Sequence, residues 1–141
     1  MKNSIFAAID IGSYNCRLTI VKRFNTTLKI IHNFSYATNL IKNLSFNNEF
    51  SLKNTQKTVS CLKKIANKLI EFNVNHYRCI ATEACRQVLN PEFFINLVKD
   101  KTNLHVEVIS AHEEAQLSFN SCLSYTEKIN EKGIIFDIGG G

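Results

Sequence analysis

Tryptophan is absent from this 141-residue chain, proline and methionine occur once each, and glycine only five times. So little Pro and Gly excludes a linker-rich, collagen-like or low-complexity chain. The five cysteines, Cys16, Cys61, Cys79, Cys85 and Cys122, contain no C-x-x-C pair. Their odd number argues against a secreted disulfide framework, so reduced thiols are expected, with Cys61 and Cys122 on helical stretches acting as small apolar residues. Long apolar runs are missing as well. The first, from Ile5, is interrupted at Asp10, which is too short and too polar for a signal peptide or a membrane span. A cytoplasmic protein with no membrane partner is the expectation. Dense basic runs are also lacking: the 17 Lys and Arg are scattered, which gives nucleic-acid binding no support.

What is present is a globular composition, 45% hydrophobic and 21% charged, at the length of one ordinary domain. The formal charge of +5 suits a polyanion such as polyphosphate or a nucleotide through long-range attraction; a solvated Lys-rich surface explains it equally well. Ile5 to Ile11 and Cys16 to Val21 read as two strands joined by a tight turn, and Leu28 to Ile31 as a third. Ser51 to Phe72 is the strongest helix, with Val59, Leu62, Ile65, Ala66, Leu69 and Ile70 at three- and four-residue spacing. Tyr77 to Ala81 predicts a strand, Thr82 to Val88 a short helix, and Asn90-Pro91 the start of another. Val106 to Ile109 alternates like a strand, Ser110 is placed to cap a helix from Ala111 to Leu123, and Ile134 to Ile138 predicts a final strand. The order is that of an α/β domain: a mixed sheet opening with an antiparallel β-meander, and helices packed on it.

Two strand ends share one design: Asp10-Ile11-Gly12-Ser13 and Asp137-Ile138-Gly139-Gly140-Gly141. A carboxylate at the end of a buried strand is costly unless paired or close to a cation. Glycines after it let backbone N–H groups converge on an anion. Either turn alone is ordinary; the pair is far more specific. His112-Glu113-Glu114-Ala115-Gln116 invites a zinc-protease reading, which fails because Gln116 stands where the second His is needed. His32, His76 and His105 have no partner spacing and read as structural or surface residues.

The paired turns resemble the two phosphate loops of the actin, Hsp70 and sugar-kinase superfamily. Three further segments are similar to one branch of it, the exopolyphosphatase and guanosine pentaphosphate phosphatase family. These are Asp10 to Ser13 followed by Arg17-Leu18, then Ala81-Thr82-Glu83-Ala84-Cys85-Arg86 with Asn90, and Val108-Ile109-Ser110 with Glu113-Glu114-Ala115. The resemblance implies the N-terminal lobe of an actin-like ATPase (ribonuclease H-like) fold over residues 1–141, ending at the second phosphate loop. It implies release of orthophosphate from polyphosphate or guanosine pentaphosphate with Mg2+.

In that reading Glu114 and Asp137 are catalytic, Glu114 as general base. Gly12, Ser13, Arg86, Gly139, Gly140 and Gly141 contact phosphate, and Asp10 and Asp137 face the metal. Arg17 is left as a structural residue. Tyr14-Asn15, Ala111 and the segment Ala37 to Asn43 depart from the family's pattern. Two other readings stay open: a kinase lobe of the same superfold, and a non-catalytic phosphate-binding relative. The lobe by itself is expected to be inactive or weakly active, and self-association into a homodimer is left open.

Overall fold

A computed structural model describes residues 4–45, 48–123 and 134–138. Among them, β1 (Ile5–Ile11), β2 (Asn15–Phe24) and β3 (Thr27–Ala37) form the opening meander. They are followed by α1 (Leu52–Glu71), β4 (His76–Ala81), α2 (Glu83–Gln87), α3 (Pro91–Thr102), β5 (Val106–Val108) and α4 (Ala111–Leu123). The strands join in one sheet in the order β3-β2-β1-β4-β5. β1 pairs antiparallel with β2 and parallel with β4, and β4 runs parallel with β5. The mixed sheet is therefore the one the element order implies. β3 is much longer than the four residues, Leu28 to Ile31, that announced it, because pairing to β2 carries it on to Ala37.

The core follows from the alternation of strand side chains. Ala7, Ile9 and Ile11 of β1, Cys16, Leu18 and Ile20 of β2, and Cys79 and Ala81 of β4 are all buried on one face. Against that face α1 lays Val59, Cys61, Leu62, Ile65 and Leu69, and α3 adds Phe94 and Val98. Fully burying each such Leu, Ile or Phe contributes about 1.5–3 kcal/mol. Ile70, counted in the apolar stripe, is instead 76% exposed: it sits one position past Leu69, so the helix turn carries it off the sheet-facing side. Ser51 caps α1 by accepting from the Asn54 N–H, and Asn90 caps α3 by accepting from the Phe93 N–H.

Asparagine takes over the turn work that scarce glycine would do elsewhere. All non-glycine residues with positive φ among the described residues are Asn: Asn25, Asn39, Asn43, Asn48, Asn73 and Asn103. Asn tolerates the left-handed region better than other side chains. Asn103, at φ 57°, ends α3 in this way. His32 packs against Phe34 and Phe72, and His76 stacks on Phe6, consistent with structural roles.

Two expectations need correction. Ile134 to Ile138 is not a strand: it takes no place in the sheet, and Phe136 and Ile138 are 82% and 93% exposed. A strand exists only through ladder bonds to a neighbour, and neither sheet edge, β3 or β5, pairs with this segment. Cys122 is only half-buried, whereas Cys61 is in the core, because α4 buries none of its residues.

Candidate functional site

Parallel pairing puts the carboxyl ends of β1, β4 and β5 on one edge of the sheet, the side where open α/β sheets bind ligands. The segments leaving those strands are stapled together. The Thr82 N–H donates to the Ile11 carbonyl at 3.4 Å, and the Ile109 N–H to the Ala81 carbonyl at 3.1 Å. A cleft of about 820 Å3 opens there. Its walls include Asp10, Gly12, Ser13, Tyr14, Arg17, Arg86, Glu114, Ser118 and Asp137. Every candidate residue within the described segments lines it; Gly139, Gly140 and Gly141 lie outside the described residues.

The first turn is tight. The Gly12 N–H is spent on the Asn15 carbonyl at 2.9 Å, and a Cβ at Gly12 would lie 3.2 Å from that same oxygen. Gly12 therefore serves close approach rather than an unusual φ, and its own N–H is already engaged. The N–H groups of Ser13 and Tyr14 carry no hydrogen bond among the described residues, so these are the amides available to an anion.

The divergent segment after β3 braces this turn from behind. The Thr38 and Asn39 N–H groups both donate to the Tyr14 carbonyl at 2.8 Å, and the Ile41 N–H to the Ser13 carbonyl at 3.2 Å. Leu40 is fully buried beneath it. Asn39 and Asn43 at positive φ do the bending that glycines would otherwise do. Tyr14 is 45% exposed at the rim.

Asp10 sits beside Arg17 in the β1–β2 ladder, and both face the cleft. Burial pushes the Asp10 carboxyl above its usual range; Arg17 pulls it back, and the nearby Glu114 adds to the rise. No hydrogen bond reaches its carboxylate from the described residues.

Glu114 is placed by polar contacts, since α4 has no buried side chain. Ser110 Oγ accepts from the Glu113 N–H, Arg78 pairs with Glu113 at 2.7 Å, and Arg86 Nη2 donates to Glu114 Oε2 at 2.8 Å. One turn further, Ser118 Oγ donates to Asp137 Oδ2 at 2.6 Å, which holds Asp137 against α4 without a strand behind it.

Arg86 is nearly saturated. It donates to Glu83 Oε2 from Nε and Nη2, to Glu114 from Nη2, and to the Ile109 carbonyl from Nη1. Burial works against its charge, but the bonds to Glu114 and Glu83 outweigh this and hold it more firmly protonated than usual. Hydrogen bonds from Arg86 and then Gln87 keep Glu83 below the usual carboxylate range.

Glu83 and Ser118 were given no role in the sequence and Arg17 only a structural one, though each left a signal. Glu83 stands three residues before Arg86 on a helix, a pairing distance. Ser118 follows Glu114 by four, hence on the same helical face. Arg17 is seven residues past Asp10, on a strand whose alternation puts both on one side of the sheet.

The profile of the Ppx/GppA phosphatase family matches residues 19–141. The chain belongs to that family. Curated relatives include a bifunctional 3-dehydroquinate synthase/phosphatase of Fusobacterium nucleatum, 30% identical over 99% of this chain and 22% of its own length. Another is a guanosine-5'-triphosphate,3'-diphosphate pyrophosphatase of Photobacterium profundum, 29% identical over 96% of this chain and 27% of its own. The chain thus spans about a quarter of the relatives it matches.

Among solved structures, the Aquifex aeolicus member of the Ppx/GppA family has a TM-score of 0.81 at 32% identity. That match covers 85% of this chain and 39% of the other. An exopolyphosphatase from Cytophaga hutchinsonii gives 0.82 at 26% identity, covering 86% and 39%. The fold is therefore the actin-like ATPase lobe that Ppx/GppA proteins carry.

Proposed function

We propose that this chain forms one wall of the active site of a phosphoanhydride hydrolase that releases orthophosphate from the end of polyphosphate or from guanosine pentaphosphate. One observation carries the reading. The carboxyl edge of the sheet gathers the free amides of Ser13 and Tyr14, the carboxylates Asp10, Glu114 and Asp137, and the cations Arg17 and Arg86 around a single cleft. In-line phosphoryl transfer asks mostly for such positioning and charge stabilisation.

In this reading Ser13 and Tyr14 donate to phosphoryl oxygens and Glu114 takes the proton of the attacking water. Arg17, whose side chain makes no hydrogen bond among the described residues, offsets substrate charge. The donor set is oxygen-only, which suits Mg2+. No group of three or more His, Cys, Asp or Glu among the described residues could hold a metal. That still fits Mg2+, which is commonly held by one or two carboxylates with water and substrate phosphates. Asp10 and Asp137 would hold it, and it would neutralise phosphate charge. Among the described residues no helix is long and apolar enough to cross a membrane, and a cytoplasmic setting belongs to the same proposal.

The coverage of relatives supports a two-lobed enzyme in which residues 1–141 supply one lobe. A lobe that binds phosphate without turnover is the second reading. Phosphate release from polyphosphate with Mg2+ by the two-lobed enzyme of this reading, compared between the wild type and Glu114→Gln, tests the first. A general base contributes roughly 100- to 10,000-fold, so the variant should lose that much. Equal release by both proteins would remove Glu114 from the chemistry.

A further inference from the structure

An arginine at the Arg86 position is expected to grip a phosphoryl group with two parallel N–H bonds, the geometry that makes guanidinium a phosphate ligand. Its donors are otherwise engaged here. Of the five N–H groups of a guanidinium, Nε–H and one on Nη2 go to Glu83 Oε2, at 3.1 and 2.6 Å. A second on Nη2 goes to Glu114 Oε2 at 2.8 Å, and one on Nη1 to the Ile109 carbonyl at 2.8 Å. A single Nη1 donor is left over. A two-pronged grip on phosphate would have to displace Glu83 or Glu114.

Glu83 is itself braced. Its other oxygen accepts from Gln87 Nε2 at 2.9 Å, and the two partners are three and four residues away on α2. The Ile109 carbonyl fixes the opposite end of the guanidinium to the segment leaving β5. The Arg86 side chain is only 22% exposed. Glu114, in contrast, is held at Oε2 alone, and Oε1 has no partner among the described residues.

We propose that Arg86 is a positioning residue rather than a phosphate ligand. With Glu83 behind it, it pins one oxygen of the Glu114 carboxylate and leaves the other for the attacking water. The proposal rests on the reading of Glu114 as the base. Glu83 then has a role of its own: it occupies the edge of Arg86 that would otherwise turn to substrate.

The test is NMR of the guanidinium Nε–H groups and backbone amides of this chain, with tripolyphosphate as the probe. Without the probe, the Arg86 Nε–H should exchange about ten-fold or more slowly than that of unbonded Arg17, as expected of a charge-assisted hydrogen bond. Glu83→Ala should abolish this protection, whereas Glu114→Gln should leave it. On adding tripolyphosphate, the Ser13 and Tyr14 amides should move while the Arg86 Nε–H stays.

An unprotected Arg86, or an Arg86 signal that follows the probe as closely as Ser13 does, overturns the proposal. Amides that ignore the probe while Arg86 stays protected would instead count against the phosphate site. In turnover by the two-lobed enzyme, Arg86→Lys should lower kcat about ten-fold with KM within about two-fold, since a positioning loss is felt in the transition state. A raised KM with kcat intact marks a lost ligand and sinks the proposal.

Discussion

Two stretches of this chain carry the same local pattern, apolar residues, then Asp, an apolar residue and Gly, and they meet different fates. Around Asp10 the pattern sits on β1, the middle strand, with β2 on one side and β4 on the other. Ile9 and Ile11 are buried there, and the turn beyond is braced by backbone bonds from Thr38, Asn39 and Ile41. Around Asp137 the apolar residues are exposed, no strand forms, and Ser118 supplies the one side-chain hydrogen bond recorded for Asp137 among the described residues. Local pattern proposes a strand; only a paired neighbour makes one.

The comparison breaks most visibly in the core. Ile9→Ala should cost about 2–5 kcal/mol in urea unfolding, the range for deleting a fully buried aliphatic side chain. Phe136→Ala, at a surface-like position, should stay within about 0.5 kcal/mol. Similar losses from both would mean that the Asp137 segment packs as tightly as β1.

A smaller effect lies in the Asp10 carboxylate. Asp10 has a raised pKa in the fold because of burial, so the native state holds the proton more tightly than the unfolded one. Stability is then lost as pH rises from the ordinary aspartate value of 3.8 through the folded value. Asp10→Asn should therefore raise the thermal midpoint at pH 7, by less than the core effect, with the gain vanishing below the unfolded pKa. An Asp10→Asn protein less stable than wild type at pH 7 contradicts the assignment. Gly12→Ala should cost less again, roughly 1 kcal/mol or below, since the Asn15 oxygen need give only a little. Its check is a shift of amide signals confined to residues near the turn.

The smallest effect separates thiols rather than energies. Burial pushes Cys79 and Cys85 up to about 12, and Cys16 up as well, with the Cys61 thiol as its largest cause. In the native protein, alkylation should reach Cys122 well before the four buried thiols. Rapid labelling of Cys79 would show that the sheet opens far more readily than its packing implies.

Much of the fold was legible because it rests on short-range rules. The α1 stripe, the Ser51, Asn90 and Ser110 caps, and Pro91 at a helix start all announce themselves within four residues. The full length of β3 was not legible, since pairing to β2 rather than its own composition carries it past Ile31. The candidate site was readable as a set of residues, and the cleft does gather those within the described segments. What each donor is committed to was not readable. Gly12 spends its N–H on Asn15, and Arg86 spends its guanidinium on Glu83, Glu114 and Ile109, bonds that require knowing which strand ends lie side by side.

By itself, then, the order of residues determined the element types as far as α4, the sheet-facing stripes and the acidic, glycine-bearing turns, because each depends on side chains a few positions apart. Tertiary structure alone decided which of two matching Asp turns became a strand end. It also decided which arginine stayed unbonded in the cleft and which carboxylate oxygen of Glu114 stayed open. Those outcomes depend on parallel pairing across some seventy residues of chain between β1 and β4, a distance at which no local periodicity carries information.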